Sequence, residues 1–242
     1  MNTLFAGSLI HGFAISNFIG QLIVYVQVLC SIVGLAVVIG KLKQLAFLRR
    51  ATSRFTRDFT SSGDVMDAYL SRRPRPDAGG VVGVYASTCE RLLRILSPDA
   101  RSVLAGRPEG AQAAALTARE IELVRGTCEQ ALDEEEIRLD AKMGALAAIV
   151  ALAPMLGLLG TVWGVLDAFY EMGTAGSANL ATIAPSISAA LVTTVVGLLV
   201  AIPGTALFTW IQGLIRKLRT DMEGFCDELM GRIACEFQGR GA

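Results

Sequence analysis
The chain has 242 residues, is 52% hydrophobic and only 18% charged, and carries no formal net charge. Its mean hydropathy of +0.50 excludes an ordinary water-soluble globular domain and places it among membrane proteins. A neutral balance gives no sign of a nucleic-acid partner.

Residues 1–40 contain no Lys, Arg, Asp or Glu. A spanning helix needs roughly 20 apolar residues, so this run predicts a short N-terminal segment over 1–17 and a first span over 18–40. A cleaved signal peptide is the competing reading. It lacks the required basic residue ahead of the apolar stretch, and the stretch is longer than a signal core. A retained anchor is the expectation.

The bases Lys41, Lys43, Arg49, Arg50, Arg54 and Arg57 follow at once, with no acid before Asp58. They open a predicted cytoplasmic helical domain over 41–142. Two Pro- and Gly-containing patches, RRPRPDAGG (72–80) and SPDARSVLAGRPEG (97–110), read as turns between its helices. From Ala111 onward Leu116, Ile121, Leu123, Val124, Leu132, Ile137 and Leu139 recur among charges in a helical pattern. No Pro separates them from Met143, so one long helix is expected to run on into the second span. The acidic run DEEE (133–136) reads as a solvated face.

Residues 143–166 and 172–215 are again free of charge. They predict a second span over 143–167, an external loop over 168–180 and a third span over 181–213. A cytoplasmic C-terminal helix follows over 214–242, with DMEGFCDELMGRIACEF (221–237) as its amphipathic part. The expected fold class is an all-α membrane protein with three transmembrane helices, the second and third extending into the cytoplasm. Arg216, Lys217 and Arg219 follow the third span, while the 167–180 loop carries Asp167 and Glu171 but no base. Basic flanks mark the cytoplasmic side. The N-terminus is therefore expected outside and the C-terminus inside.

Cys30, Cys89, Cys128, Cys226 and Cys235 form no CxxC pair, and four fall on the expected cytoplasmic side. Reduced structural thiols are the expectation, with no metal or redox site. His11 is the only histidine and has no neighbouring motif to give it a role.

The two later spans carry the clearest signal. Gly157, Thr161, Gly164 and Ala168 are spaced four, three and four apart, and so are Ala190, Thr194, Gly197 and Ala201. Each set shares one helix face that is small and bears one hydroxyl. Gly160 adds a small-xxx-small pair with Gly164, which lets helix backbones approach in lipid. Thr193 adds a second hydroxyl, and Ser186 extends the face outward. Pro154 and Pro203 are expected to free the carbonyls of Val150 and Leu199. Two readings of these faces stay open. Either they pack tightly, with each Thr bonding its own backbone, or they form a partly polar surface that lines a cavity or grips another helix. Neither span buries a carboxylate, Lys, Arg or His, which an ion path through a membrane normally shows; Asp167 and Glu171 lie at the outer mouth. No phosphate-binding glycine loop, Ser/His/Asp set or metal spacing is present, so an enzyme is not expected and no cofactor or metal is called for.

APMLGLLGTVWGVLDAF (153–169) and IAPSISAALVTTVVGLLVAIPGTAL (183–207) closely resemble the MotA/TolQ/ExbB proton-channel family. Three spans, an outside N-terminus and a large domain before the second span are similar to the TolQ/ExbB branch, since MotA-type stators have four spans. The resemblance is strongest over 140–215. It implies a ring, five copies in the family, in a bacterial inner membrane. It also implies single-span partners of the ExbD/TolR type whose membrane Asp takes the proton. Thr161 and Thr194 match threonines that lie on the proton path, and an energy-transducing protein of the TonB or TolA kind is a further implied partner. One departure is visible. Such relatives commonly carry a glutamate one turn before the third-span threonine, and Ala189 stands there. Another ion such as Na⁺, or a structural scaffold that conducts nothing, are the rival readings. A secondary transporter is disfavoured because three spans show no internal repeat.

Overall fold
A computed structural model of the chain describes residues 17–61, 65–66, 69–70, 74–96, 116–175 and 180–237. His11, the 97–110 patch and the first residues of the pattern starting at Ala111 lie outside the described residues. Among the described residues five α-helices have defined bounds, in order α1 Phe18–Ser61, α2 Gly80–Ile95, α3 Ala118–Asp140, α4 Met143–Ala175 and α5 Leu180–Phe237. A 3-10 turn, Pro76–Ala78, precedes α2. Among the described residues there is no strand, and three helices are long and apolar enough to cross a membrane. The all-helical, three-span reading holds.

The expected single helix from the Ala111 region into the second span does not. α3 ends at Asp140, the Ala141 amide closes onto Ile137 O, and Lys142 takes φ 69. That left-handed conformation is unfavourable for a residue with a Cβ. No Pro or Gly stands at the interruption, so the sequence carries no local signal for it.

The chain divides into two units: Met1–Lys41 with Lys142–Gln212, and Leu42–Ala141 with Gly213–Ala242. In the first, the start of α1, all of α4 and the first half of α5 pack together. Gly34 of α1 faces Ile149 and Leu146 of α4, where a Cβ would make ordinary van der Waals contact at 3.6 and 3.7 Å. The outward faces of this unit are apolar. Ile32, Leu35, Met155, Leu158, Val162, Leu191, Leu199 and Ile202 are all exposed. Water does not tolerate such a continuous surface, whereas lipid does.

The second unit has a conventional core. Phe55 and Phe59 of α1, Tyr85 of α2 and Phe225 of α5 form an aromatic cluster. Ring centroids lie 5.0 Å apart for Phe55–Tyr85 and 5.1 Å for Phe59–Phe225. The Tyr85 hydroxyl donates to Val65 O at 2.6 Å, which satisfies the polar tip of a buried ring. Thr117 and Glu120 form a reciprocal cap at the start of α3, and the Thr117 backbone N–H and hydroxyl, both donating to the Glu120 carboxylate, hold it below its ordinary pKa. Burial pushes the Cys89 thiol up to about 12, so it stays neutral and unreactive at physiological pH.

Two expectations about this unit need correction. Cys128 and Cys226 are joined in a disulfide between α3 and α5, their Cα atoms 6.5 Å apart; five free thiols were expected. The register of the two helices places both on the shared interface, which spacing along the chain could not reveal. The DEEE run is also not a uniform solvated face. Glu135 is buried, and Glu136 accepts from Arg219 at 2.6 Å. Only Asp133 and Glu134 remain exposed.

Candidate functional site: the α4–α5 seam
Three glycines give α4 a face without side chains, and α5 fills it. A Cβ on Gly157 would lie 2.8 Å from Thr194 Cα and 3.0 Å from Thr193 O. One on Gly160 would overlap the Thr193 hydroxyl and sit 2.7 Å from Thr193 Cβ. One on Gly164 would lie 2.5 Å from Ala190 Cβ. The approach is reciprocal, because a Cβ on Gly197 of α5 would come within 2.6 Å of Ala153 O. The two helices therefore touch backbone to backbone. Both small faces are used against each other within one chain.

Hydroxyls converge on a single carbonyl in this seam. Thr194 Oγ1 donates to Gly157 O at 2.9 Å. Thr193 Oγ1, buried, lies 3.1 Å from Gly157 O and 2.7 Å from Ala190 O on its own helix. Its one proton is shared between those acceptors. Thr161 stands apart. It is half-buried and its hydroxyl donates to Leu158 O at 2.8 Å on its own helix. The structure thus brings Gly157, Gly160, Gly164, Ala190, Thr193, Thr194 and Gly197 together. Thr161 lies one turn along α4 from the Gly157 carbonyl, without a hydrogen bond across the seam.

Ser186 sits toward the end of the spans that carries the acids, its Oγ 3.3 Å from Glu171 Oε2. At that same end Asn17 donates to Asp167. Ala201 is buried, as are Ala189 and Ala190. Position 189 is therefore inside the packed unit. Pro154 lies within α4 and Pro203 within α5, each removing one backbone donor. Val150, whose carbonyl Pro154 leaves without its helical partner, packs against Gly204, where a Cβ would meet Val150 Cγ2 at 2.9 Å.

Sequence reasoning missed Gln27. This α1 residue is fully buried, and its Nε2 donates to Ala153 O at 3.1 Å and to Thr193 O at 3.2 Å. It ties all three spans together at the seam. Its Oε1 is buried without a partner. The signal was present: Gln27 is an amide inside an apolar run, where a polar group needs a reason. Gly157 and Gly197 leave room for it, since a Cβ on either would lie 3.4 or 2.8 Å from Gln27 Nε2.

The seam is polar but holds no ionisable group. The spans in this unit are bounded by Lys41, Lys142, Asp167 and Glu171, with no charge between. It can offer hydroxyls and carbonyls to a proton or a cation, yet has nothing of its own that titrates.

A model of the MotA/TolQ/ExbB proton channel family matches residues 98–224, just over half of the chain. The Tol-Pal system protein TolQ of Haemophilus influenzae is 26% identical over 221 residues, 88% of each chain. TolQ of Pseudomonas aeruginosa is also 26% identical, over 88% of this chain and 87% of its own. The biopolymer transport protein ExbB of Xanthomonas campestris pv. campestris is 35% identical over a shorter 108 residues, 45% of this chain and 43% of its own.

Proposed function
The chain belongs to the MotA/TolQ/ExbB proton channel family, and from that membership we propose that it is the ring-forming subunit of an ion-driven motor in a bacterial inner membrane. Its N-terminus faces the periplasm and its C-terminus the cytoplasm, so the unit built from 42–141 and 213–242 lies inside. Single-span partners of the ExbD/TolR type stand within the ring and bring the aspartate that takes the proton. A homopentamer, and an energy-transducing protein of the TonB or TolA kind, complete the assembly. The motor converts the proton motive force into work on the envelope; moving one charge down ~100 mV is worth about 2.3 kcal/mol.

The observation that carries this reading is a hydroxyl-bearing seam without a titrating group. Thr194 and Thr193 meet at Gly157 O, Thr161 lies one turn along, and no charge lies between the ends of the spans. Such a surface serves a proton path only beside a helix that carries an acid. A catalytic role has no support in this arrangement. The rival, a scaffold that conducts nothing, draws on the same glycines, because the small faces are already occupied by packing within the chain. Na⁺ is the alternative ion, given Ala189.

Substitution separates these readings. Thr161→Val and Thr194→Val keep shape and remove a hydroxyl, which costs about 1–2 kcal/mol of stability at most. In the native host each is expected to abolish the energised function while the oligomer still assembles. Full activity in both variants overturns the pore role and favours the scaffold.

A further inference from the structure
We propose that the α1 face of the second unit is a docking groove for α3 of a second copy of the chain, in a head-to-tail contact. The groove encloses about 770 Å³ and is lined by Arg49, Arg50, Thr52, Ser53 and Arg57 of α1 and by Asp221 of α5. Among the described residues, none of the three arginine side chains is held by an ion pair or a hydrogen bond. Asp221 is the one acid against them, so the groove is net positive. Thr52 is buried, with its hydroxyl turned toward Gly80 of α2, so the groove's polar surface is that of the arginines. Three exposed guanidinium groups on one helix face are available to acids of another chain.

The complement is on the same unit. Along α3, Glu129, Asp133 and Asp140 are exposed on one face, with Ile137 at 72% exposure between the last two. Asp133 lies near Arg219, but that guanidinium is already held by Glu136 at 2.6 Å and Glu223 at 2.9 Å. The spacings agree: Arg50 and Arg57 are seven residues apart, and so are Asp133 and Asp140. At 1.5 Å per residue both pairs span roughly 10 Å, so two acids of one copy reach two bases of the next, with Ile137 laid against Ser53. An anionic lipid headgroup is the other occupant to weigh. Arg50 lies ten residues beyond Gly40, where the apolar run ends, which puts it about 15 Å along the helix from that end. Arg57 is further still, beyond a headgroup layer. A surface that pairs with a different surface on the next copy makes a heterologous contact, which closes into a ring or continues as a filament. The inference deepens the ring proposed above and rests on it for the existence of neighbouring copies, not for ion flow.

A benzophenone amino acid placed at Ser53 of the full-length chain, irradiated in native membranes and mapped by mass spectrometry, tests it. The expected adduct is to a peptide within residues 126–142 of a second copy. Arg50→Asp with Arg57→Asp should lower its yield more than about tenfold, and so should Asp133→Arg with Asp140→Arg. All four in one chain should restore it, which separates lost complementarity from misfolding. An adduct to phospholipid, an adduct to any other peptide, no adduct, or no recovery in the fourfold variant each overturns the proposal. Cross-linking needs no ion flow. An adduct in a chain whose Thr variants remain active keeps the groove and sinks the motor, and the converse result does the reverse.

Discussion

Gly160→Ala is expected to lower the stability of the membrane unit by about 1–3 kcal/mol, the usual effect of forcing a methyl group into a filled interface. The added Cβ would overlap the Thr193 hydroxyl and approach Thr193 Cβ at 2.7 Å. Thr193 has no easy escape. It is buried, branched at Cβ, and hydrogen-bonded to Ala190 O and Gly157 O. Gly157→Ala meets Thr194 Cα at 2.8 Å, which is backbone and moves only if the helices separate. Gly144→Ala and Gly173→Ala are the matched controls, with nothing within 4 Å of either added atom. They should be neutral or slightly stabilising, since Ala is favoured over Gly within a helix by about 1 kcal/mol. Thermal unfolding of the purified protein in detergent distinguishes the two classes. Equal melting temperatures for Gly160→Ala and Gly173→Ala would contradict the backbone-to-backbone seam.

Gln27 yields the second large effect, and its size depends on the replacement. Gln27→Glu puts an oxygen where Nε2 now faces Ala153 O and Thr193 O. That change loses two hydrogen bonds, sets oxygens against oxygens and buries a charge at a cost of about 3 kcal/mol or more. Gln27→Leu loses the same two bonds, worth about 0.6 kcal/mol each within a membrane. It also removes the buried Oε1 that has no partner, whose burial costs about 1–3 kcal/mol. The terms for Leu nearly cancel, so a change within about 1 kcal/mol is expected. Unfolding at neutral pH should therefore rank the wild type and Gln27→Leu together, well above Gln27→Glu. A Glu variant as stable as the wild type would mean that the amide does not bridge the spans.

The small faces were legible in the sequence because a helix in lipid has few ways to use glycine, and the four-three-four spacing fixes which residues share a side. Spacing could not tell what each face meets. The Thr193 and Thr194 hydroxyls, read as wall residues, donate to a carbonyl of the neighbouring helix, which is a tertiary fact. Gln27 was passed over for a related reason. An amide in an apolar run is ambiguous until the carbonyls it addresses are known, and those belong to residues 126 and 166 positions away. The turn at Ala141–Lys142 carries no local stop signal, and the Cys128–Cys226 pairing spans 98 residues. What periodicity revealed was each helix alone; what it missed were the contacts among helices.

In the proposed motor, ions cross beside this seam by way of an acid from another chain. Proton flux into liposomes tests it most directly. The chain is reconstituted with the single-span, membrane-Asp partner proposed for it, an inside-negative potential is applied, and internal pH is followed with a dye. The wild-type complex is expected to acidify the interior without dependence on Na⁺, and a Thr161→Val/Thr194→Val complex of unchanged size is expected to lose that acidification. An intact complex with no flux above the lipid background, or undiminished flux in the double variant, would contradict it.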